Sequence, residues 1–352
     1  MKYLIAVCCS LLLCTQVFAS QQAVLLGPDL EPVSVRLQAI SSDVIKVVDG
    51  RGDTQTLKPE DVLRLTFSRR ALETPDPSRA IVTLRDGQVL VGKLVPSNDE
   101  EAIRLTLDND RAVQVPLDEM LSLVIEAGAT APAVEEDDAL LLATGEVLLG
   151  FVETFSKDAI GFVIGDSDDA IEIPLDRIKA VAIANKPRQA QVNPGTARVT
   201  TIDGSVLLIE NATLNAEQSG DRLMGVSTLP IVSSNASDDG VSTASSSRLS
   251  FSMDRILTIE PVSSRYQLSS LSEHDWQVVS GAEVFGVAML PSKTAAGDLR
   301  LHAPVEVRFD LPKGARRLAF TVAMDLDDTI PDSRRAMAGC ELLIYVGDEV
   351  IA

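Results

Sequence analysis

Asp86-Gly87-Gln88-Val89-Leu90-Val91-Gly92 returns as Thr144-Gly145-Glu146-Val147-Leu148-Leu149-Gly150, and again as Asp203-Gly204-Ser205-Val206-Leu207-Leu208. A second phrase follows each copy. It reads Val115-Pro116-Leu117-Asp118-Glu119-Met120, then Ile173-Pro174-Leu175-Asp176-Arg177-Ile178, then Phe251-Ser252-Met253-Asp254-Arg255-Ile256. A blurred earlier copy, Leu57-Lys58-Pro59-Glu60-Asp61-Val62, implies a fourth unit. Gly87, Gly145 and Gly204 stand 58 and 59 residues apart, and only the last closing phrase is displaced, 78 residues after its predecessor. A fixed period this long marks repeated supersecondary units instead of one large catalytic domain. Repeats of this kind build scaffolds or binding surfaces.

Within each unit the apolar residues alternate. Ile81, Leu84, Val89, Val91 and Leu94 bracket Asp86-Gly87, and Ile103, Leu105 and Leu107 alternate with Arg104, Thr106 and Asp108. Asp-Gly between alternating hydrophobics signals a hairpin whose turn positions both take positive φ. The pattern predicts about five short strands per unit, enough to close a small barrel, with a helical turn at the Pro-Leu-Asp phrase before the last strand. Thr74-Pro75-Asp76-Pro77-Ser78, the stretch 128–138 and the stretch 186–195 read as linkers. The expected boundaries are 20–72, 79–127, 137–185 and 196–261. The fourth unit carries the Ser-rich insertion 232–247, too polar to pack and expected to be a mobile loop. In unit length, hairpin position and closing turn, these units resemble the SH3-like or Sm-like small β-barrels that occur in tandem in exported bacterial proteins. Sm-like barrels that bind RNA carry basic and aromatic loops, which this chain lacks, so RNA binding does not carry over.

Composition limits the function classes. Lys2, the apolar run from Tyr3 to Leu13 and Val17-Phe18-Ala19 form an export signal over residues 1–19, and the apolar run is too short for a stable bilayer span. The expected location is extracytoplasmic: periplasmic, cell-surface or secreted. Cys8, Cys9 and Cys14 leave with the signal, so Cys340 stays a lone thiol, most simply a small buried apolar residue. The formal net charge of −20 repels phosphate backbones and anionic headgroups, which argues against nucleic acid as a partner. Aromatic residues are 4% of the chain, so the cores are aliphatic.

From Arg265 the pattern changes. Tyr266-Gln267-Leu268-Ser269-Ser270-Leu271 leads to Leu301-His302-Ala303-Pro304-Val305, then Leu318-Ala319-Phe320-Thr321-Val322-Ala323-Met324-Asp325, then Ile344-Tyr345-Val346-Gly347-Asp348. This succession, with the His-Ala-Pro core as its most specific part, resembles the NPCBM family of carbohydrate-binding modules associated with family 98 glycoside hydrolases. The resemblance implies a jelly-roll-like β-sandwich over 265–352 and a glycan ligand. The stretch from Trp276 to Gly297 is short for that family, and the family module runs further than Ala352. A trimmed sandwich would expose a strand edge, which predicts a homo-oligomer through that edge.

Few residues stand out as chemistry. Trp276, the single tryptophan, would stack on a sugar ring or fill a core or rim position. His302 would contact the sugar or hold its loop by a buried hydrogen bond. Asp325, Asp327 and Asp328 would bind calcium or a sugar hydroxyl, or simply solvate a loop tip. His274 and His302 are the only histidines, so no histidine metal cluster can form. There is no Gly-x-Ser-x-Gly elbow, phosphate loop or dinucleotide fingerprint, so no cofactor and no catalytic residue is expected. Arg51-Gly52-Asp53 spells an adhesion tripeptide at a position where a hairpin turn is expected. The sequence thus points to an all-β, non-catalytic, exported protein: a glycan binder with the repeats as spacer or interaction surface, or a scaffold binding other extracytoplasmic proteins through its repeats.

Overall fold

Each Asp/Thr-Gly turn folds the same way. In a computed structural model of the chain, Gly87, Gly145 and Gly204 have φ of 81°, 92° and 92°, while the residues before them do not enter the left-handed region. The Gly87 N–H donates to the Leu84 carbonyl at 3.0 Å and the Leu84 N–H to the Gln88 carbonyl at 2.9 Å. The expectation of two positive-φ positions is therefore corrected. These are three-residue loops closed by a glycine bulge, in which only the glycine pays a steric penalty if replaced. The structure describes residues 21–262 apart from 68–71, 75, 98–99, 108–110, 157, 166–168, 189, 191–192, 218–219, 230 and 233–247. Beyond 262 it describes 265–266, 271, 274, 276–281, 283–284, 287–288, 292–293, 299–301, 305–311, 315, 318, 345–346 and 349–350.

The described residues are all-β, with short 3-10 turns and no α-helix. Repeat 1 contains β1 (Gln21–Leu26), β2 (Pro32–Ile40), β3 (Ile45–Val48), β4 (Thr54–Leu57) and β5 (Arg64–Thr66). Repeat 2 contains β6 (Ala80–Leu84), β7 (Val89–Val95), β8 (Ala102–Thr106), β9 (Ala112–Pro116) and β10 (Met120–Val124). Repeat 3 contains β11 (Asp138–Leu142), β12 (Val147–Phe155), β13 (Ala159–Ile164), β14 (Ala170–Pro174) and β15 (Ile178–Ala182). Repeat 4 contains β16 (Ala197–Thr201), β17 (Val206–Glu217), β18 (Gly220–Ser227), β19 (Ile231–Val232), β20 (Arg248–Ser252) and β21 (Ile256–Pro261). A 3-10 turn precedes the last strand of every repeat: Pro59–Asp61, Leu117–Glu119, Leu175–Arg177 and Met253–Arg255. Val232, the first residue of the expected insertion, ends β19; residues 233–247 lie outside the described residues.

The four stretches share one antiparallel scheme. The first strand lies between the second and the last, as in β6 with β7 and β10, and the second strand passes on to the third, as in β7 with β8. The second strand turns a corner to do this. Residues 89–92 of β7 pair with β6 and residues 93–95 with β8. Gly92 sits at that corner, where a Cβ would lie 2.7 Å from the Thr106 carbonyl oxygen, and Gly150 sits at the same corner beside the Val163 carbonyl oxygen. In repeat 4 the glycine has moved across to the facing strand as Gly225, packed on Ile209.

The repeats are joined to one another by strands. β10 pairs with β15 around Leu123 and Val181, and β5 pairs with β21 around Leu65 and Ile259. All four side chains are fully buried, and they belong to one continuous apolar cluster drawn from all four repeats. β9 of repeat 2 pairs with β19 of repeat 4, and Val89 of β7 bridges Val206 of β17. The connecting segments are packed too. Glu73 takes a bidentate pair from Arg255, and Asn185 donates to the Leu117 and Met120 carbonyls around the repeat 2 turn.

The chain divides into two compact regions at Gln267/Leu268. In the second, Trp276–Ser280 pairs antiparallel with Glu306–Phe309, and two-residue pairs join 283–284 to 287–288, 292–293 to 299–300 and 345–346 to 349–350.

The corner glycine gives a direct test. Gly150→Ala is expected to lower stability by about 1–3 kcal/mol through overpacking against the β13 backbone. Gly50→Ala, with nothing within 4 Å of the added carbon, should leave the urea midpoint where it is.

Candidate functional site

Of the side chains singled out from the sequence of the second region, the structure describes Trp276. It opens the strand Trp276–Ser280, half-buried, opposite Phe309. His302, Asp325, Asp327 and Asp328 lie outside the described residues, as does Cys340. Among the described residues no group of three or more His, Cys, Asp or Glu side chains could hold a metal ion, and no helix is long and apolar enough to cross a membrane.

Arg51-Gly52-Asp53 lies in the β3–β4 hairpin turn. Gly52 has φ of 93°, and its N–H donates to the Asp49 carbonyl at 3.1 Å, the same loop as at Gly87. The Asp49 carboxylate accepts from the Arg51 N–H at 2.9 Å, the Asp53 N–H at 3.0 Å and Gln55 Nε2 at 3.2 Å. The tripeptide is thus explained by the turn it makes.

Two features of the surface of the repeats stand out. The first is a hollow of about 260 Å³ where repeats 2 and 3 meet, lined by Leu94, Ile103, Arg104, Phe155, Asp158 and Leu175 among others. The Arg104 Nε–H there is buried and has no hydrogen-bond acceptor among the described residues. The second is the outward side of β12. Val147, Leu149 and Phe151 alternate along it and are 49%, 56% and 51% exposed. Val163 of β13 stands opposite Phe151 on the same side. Three neighbouring apolar side chains this open are unusual on so acidic a chain, and a contiguous exposed apolar patch marks an interaction site.

The repeat pattern does not mark this face. Val89 and Val91 in repeat 2, and Val206 and Leu208 in repeat 4, form the same apolar alternation, and there it is covered. Val91 and Leu208 are 8% and 2% exposed because the two hairpins dock on each other. The only available signal was the third position, where Lys93 and Glu210 are charged and Phe151 is not.

No protein-family model matches the chain, and no curated protein matches it either.

The hydrogen bonds of the Arg51-Gly52-Asp53 turn set a pH dependence. The Asp53 N–H above all, with those of Arg51 and Gln55, holds the Asp49 carboxyl below its ordinary value of 3.8. A lowered folded-state pKa adds stability above the unfolded value that is lost as pH falls through the folded one. The Asp49 carboxyl carbon should therefore titrate by NMR with a midpoint below 3.8. The protection factors of the hairpin amides, referred to intrinsic exchange at each pH, should fall as pH drops through that midpoint.

Proposed function

We propose that this is an exported, non-catalytic binding protein whose four repeats are small SH3-like β-barrels fused into one rigid platform. The pairing of last strands between repeats carries this reading. A chain of beads joined by flexible linkers would serve as a spacer; repeats that share backbone hydrogen bonds and a single apolar core hold their surfaces in fixed relation. A barrel of this type needs its last strand beside its first, which is the order found in each repeat. The open side of β12 is then the interaction surface of the platform. The segment 1–19 acts as the export signal and is removed, in keeping with its charged start and short apolar run.

A second reading concerns the region after residue 267. There the NPCBM resemblance supports a jelly-roll-like sandwich that binds a glycan, with Trp276 as a stacking platform and His302 and the loop of Asp325, Asp327 and Asp328 as polar contacts. The half-exposed position of Trp276 at a strand end favours it.

The two readings separate experimentally. Residues 21–262 should unfold in one cooperative transition, with amides of β5, β10, β15 and β21 exchanging last. Stepwise loss of single repeats would defeat the platform. A glycan array with the whole protein should yield a ligand whose binding is weakened by Trp276→Ala while that transition is unchanged. Binding unaffected by both Trp276→Ala and His302→Ala would remove the glycan reading, and glycoside turnover abolished by one carboxylate substitution would overturn the non-catalytic assignment.

A further inference from the structure

The centre of the contact between repeats 2 and 4 is self-complementary, and the one-sided β9–β19 pairing and Arg79–Asp203 ion pair flank it. Val89 pairs with Val206, and these occupy the same repeat position. The Leu208 N–H donates to Gln88 Oε1 at 2.8 Å, and the Val91 N–H donates to Ser205 Oγ at 3.0 Å. Gln88 and Ser205 are equivalent to each other, as are Val91 and Leu208. One hairpin therefore meets the other about a local two-fold axis through the Val89–Val206 pair. The arrangement buries Gln88 and Ser205 to 1% and 3% exposure, and each side-chain oxygen accepts a backbone N–H of the other repeat.

Repeat 3 presents the same elements, and among the described residues no other repeat covers them. Glu146 stands at the position of Gln88 and Ser205, Val147 at that of Val89 and Val206, and Leu149 at that of Val91 and Leu208. All three are exposed. A surface that mates with its own likeness finds that likeness open, among the described residues, in repeat 3 of another molecule. Repeats 2 and 4 have consumed theirs, and the first turn of repeat 1 is the unrelated Gly27-Pro28-Asp29-Leu30-Glu31. We propose that the open side of β12 joins two copies of this chain about a true two-fold axis, with the repeat 3 hairpins crossing as those of repeats 2 and 4 do within one copy.

The differences in repeat 3 suit this role. The turn residue is Asp86 in repeat 2 and Asp203 in repeat 4, and the second of these is neutralised by Arg79 at 3.0 Å. In repeat 3 it is the uncharged Thr144, so the turn packs beside β12 of the second copy with no charge to neutralise. Lys93 and Glu210 give way to Phe151, which lengthens the apolar stripe. The Glu146 carboxylate takes the place of the Gln88 and Ser205 oxygens as acceptor for the Leu149 N–H of the second copy. Glu153 leaves an acidic group on the rim of each copy, and both copies are strongly acidic, so association strengthens as salt screens them. An isologous contact of this kind closes on itself and stops at two chains.

The inference rests on the platform reading, because the hairpin must be held as firmly as its counterparts in repeats 2 and 4. Light scattering on the whole protein at micromolar concentration should give twice the chain mass, more so at high salt. Leu149→Lys should return it to the single-chain mass with unchanged thermal melting, and Phe151→Glu serves as the second variant. In a Cys340→Ser background, Val147→Cys lies on the axis and should form a disulfide-linked dimer on mild oxidation, whereas Val33→Cys, at an exposed position of repeat 1, should not. A wild-type protein that stays monomeric at every soluble concentration overturns the proposal. So does a dimer that survives both β12 substitutions, or cross-linking as fast from position 33 as from 147. If the protein is monomeric yet unfolds in one transition, the two-fold contact falls and the platform stands. If the transition breaks into steps, the platform itself has failed.

Discussion

Leu123 against Val181 and Leu65 against Ile259 are backbone-paired, fully buried contacts between repeats, and the remaining inter-repeat contacts are arranged around them. The last strand of an isolated repeat would pair with the first strand on one side and face water on the other. Such an edge invites uncontrolled association. Joining last strand to last strand satisfies both backbones at once and places equivalent residues opposite each other. Because the residue at the centre is apolar in each case, the junction also merges the interiors. Arg64 reaches Glu260 across the β5–β21 junction, a partly exposed ion pair that adds little energy but fixes register.

Repeats 1 and 4, and 2 and 3, are thus paired by their last strands, while repeats 2 and 4 meet through hairpins. The second kind of contact is polar where the first is apolar. Its buried ion pair, Arg79 with Asp203, sits among backbone groups that also use the same side chains. Arg79 donates to the Val91 carbonyl at 2.7 Å, and Asp203 accepts from the Ser205 N–H at 3.1 Å and from the Thr201 hydroxyl. Losing either partner would strand a charge, so a pair of this kind serves specificity of docking more than net stability. It selects repeat 4, and no other repeat, as the mate of repeat 2.

A good part of this architecture was legible in the chain. The period and alternation announced the strands, and the Pro-Leu-Asp phrase announced the 3-10 turn, since proline suits a first turn and not a central strand. The conformation within the glycine turns was read less well, because Asp-Gly serves both two-residue and three-residue loops and the strand register chooses between them. The candidate sugar-binding side chains apart from Trp276 lie outside the described residues.

The sequence by itself determined what each repeat is: alternating side chains decide which face of a strand is apolar, and glycine decides where the chain can turn or let another backbone pass close. These are local properties, fixed by residues a few positions apart. It did not determine which apolar faces end up covered. Val91, Leu149 and Leu208 are equivalent in the repeat, yet Leu149 alone lies open to solvent. Their burial depends on which repeats dock, and that is decided by pairings between strands more than a hundred residues apart, such as β7 with β17 and β5 with β21. Only the tertiary structure, which sets two copies of one motif face to face and leaves a third without a counterpart, separates an interior contact from a surface.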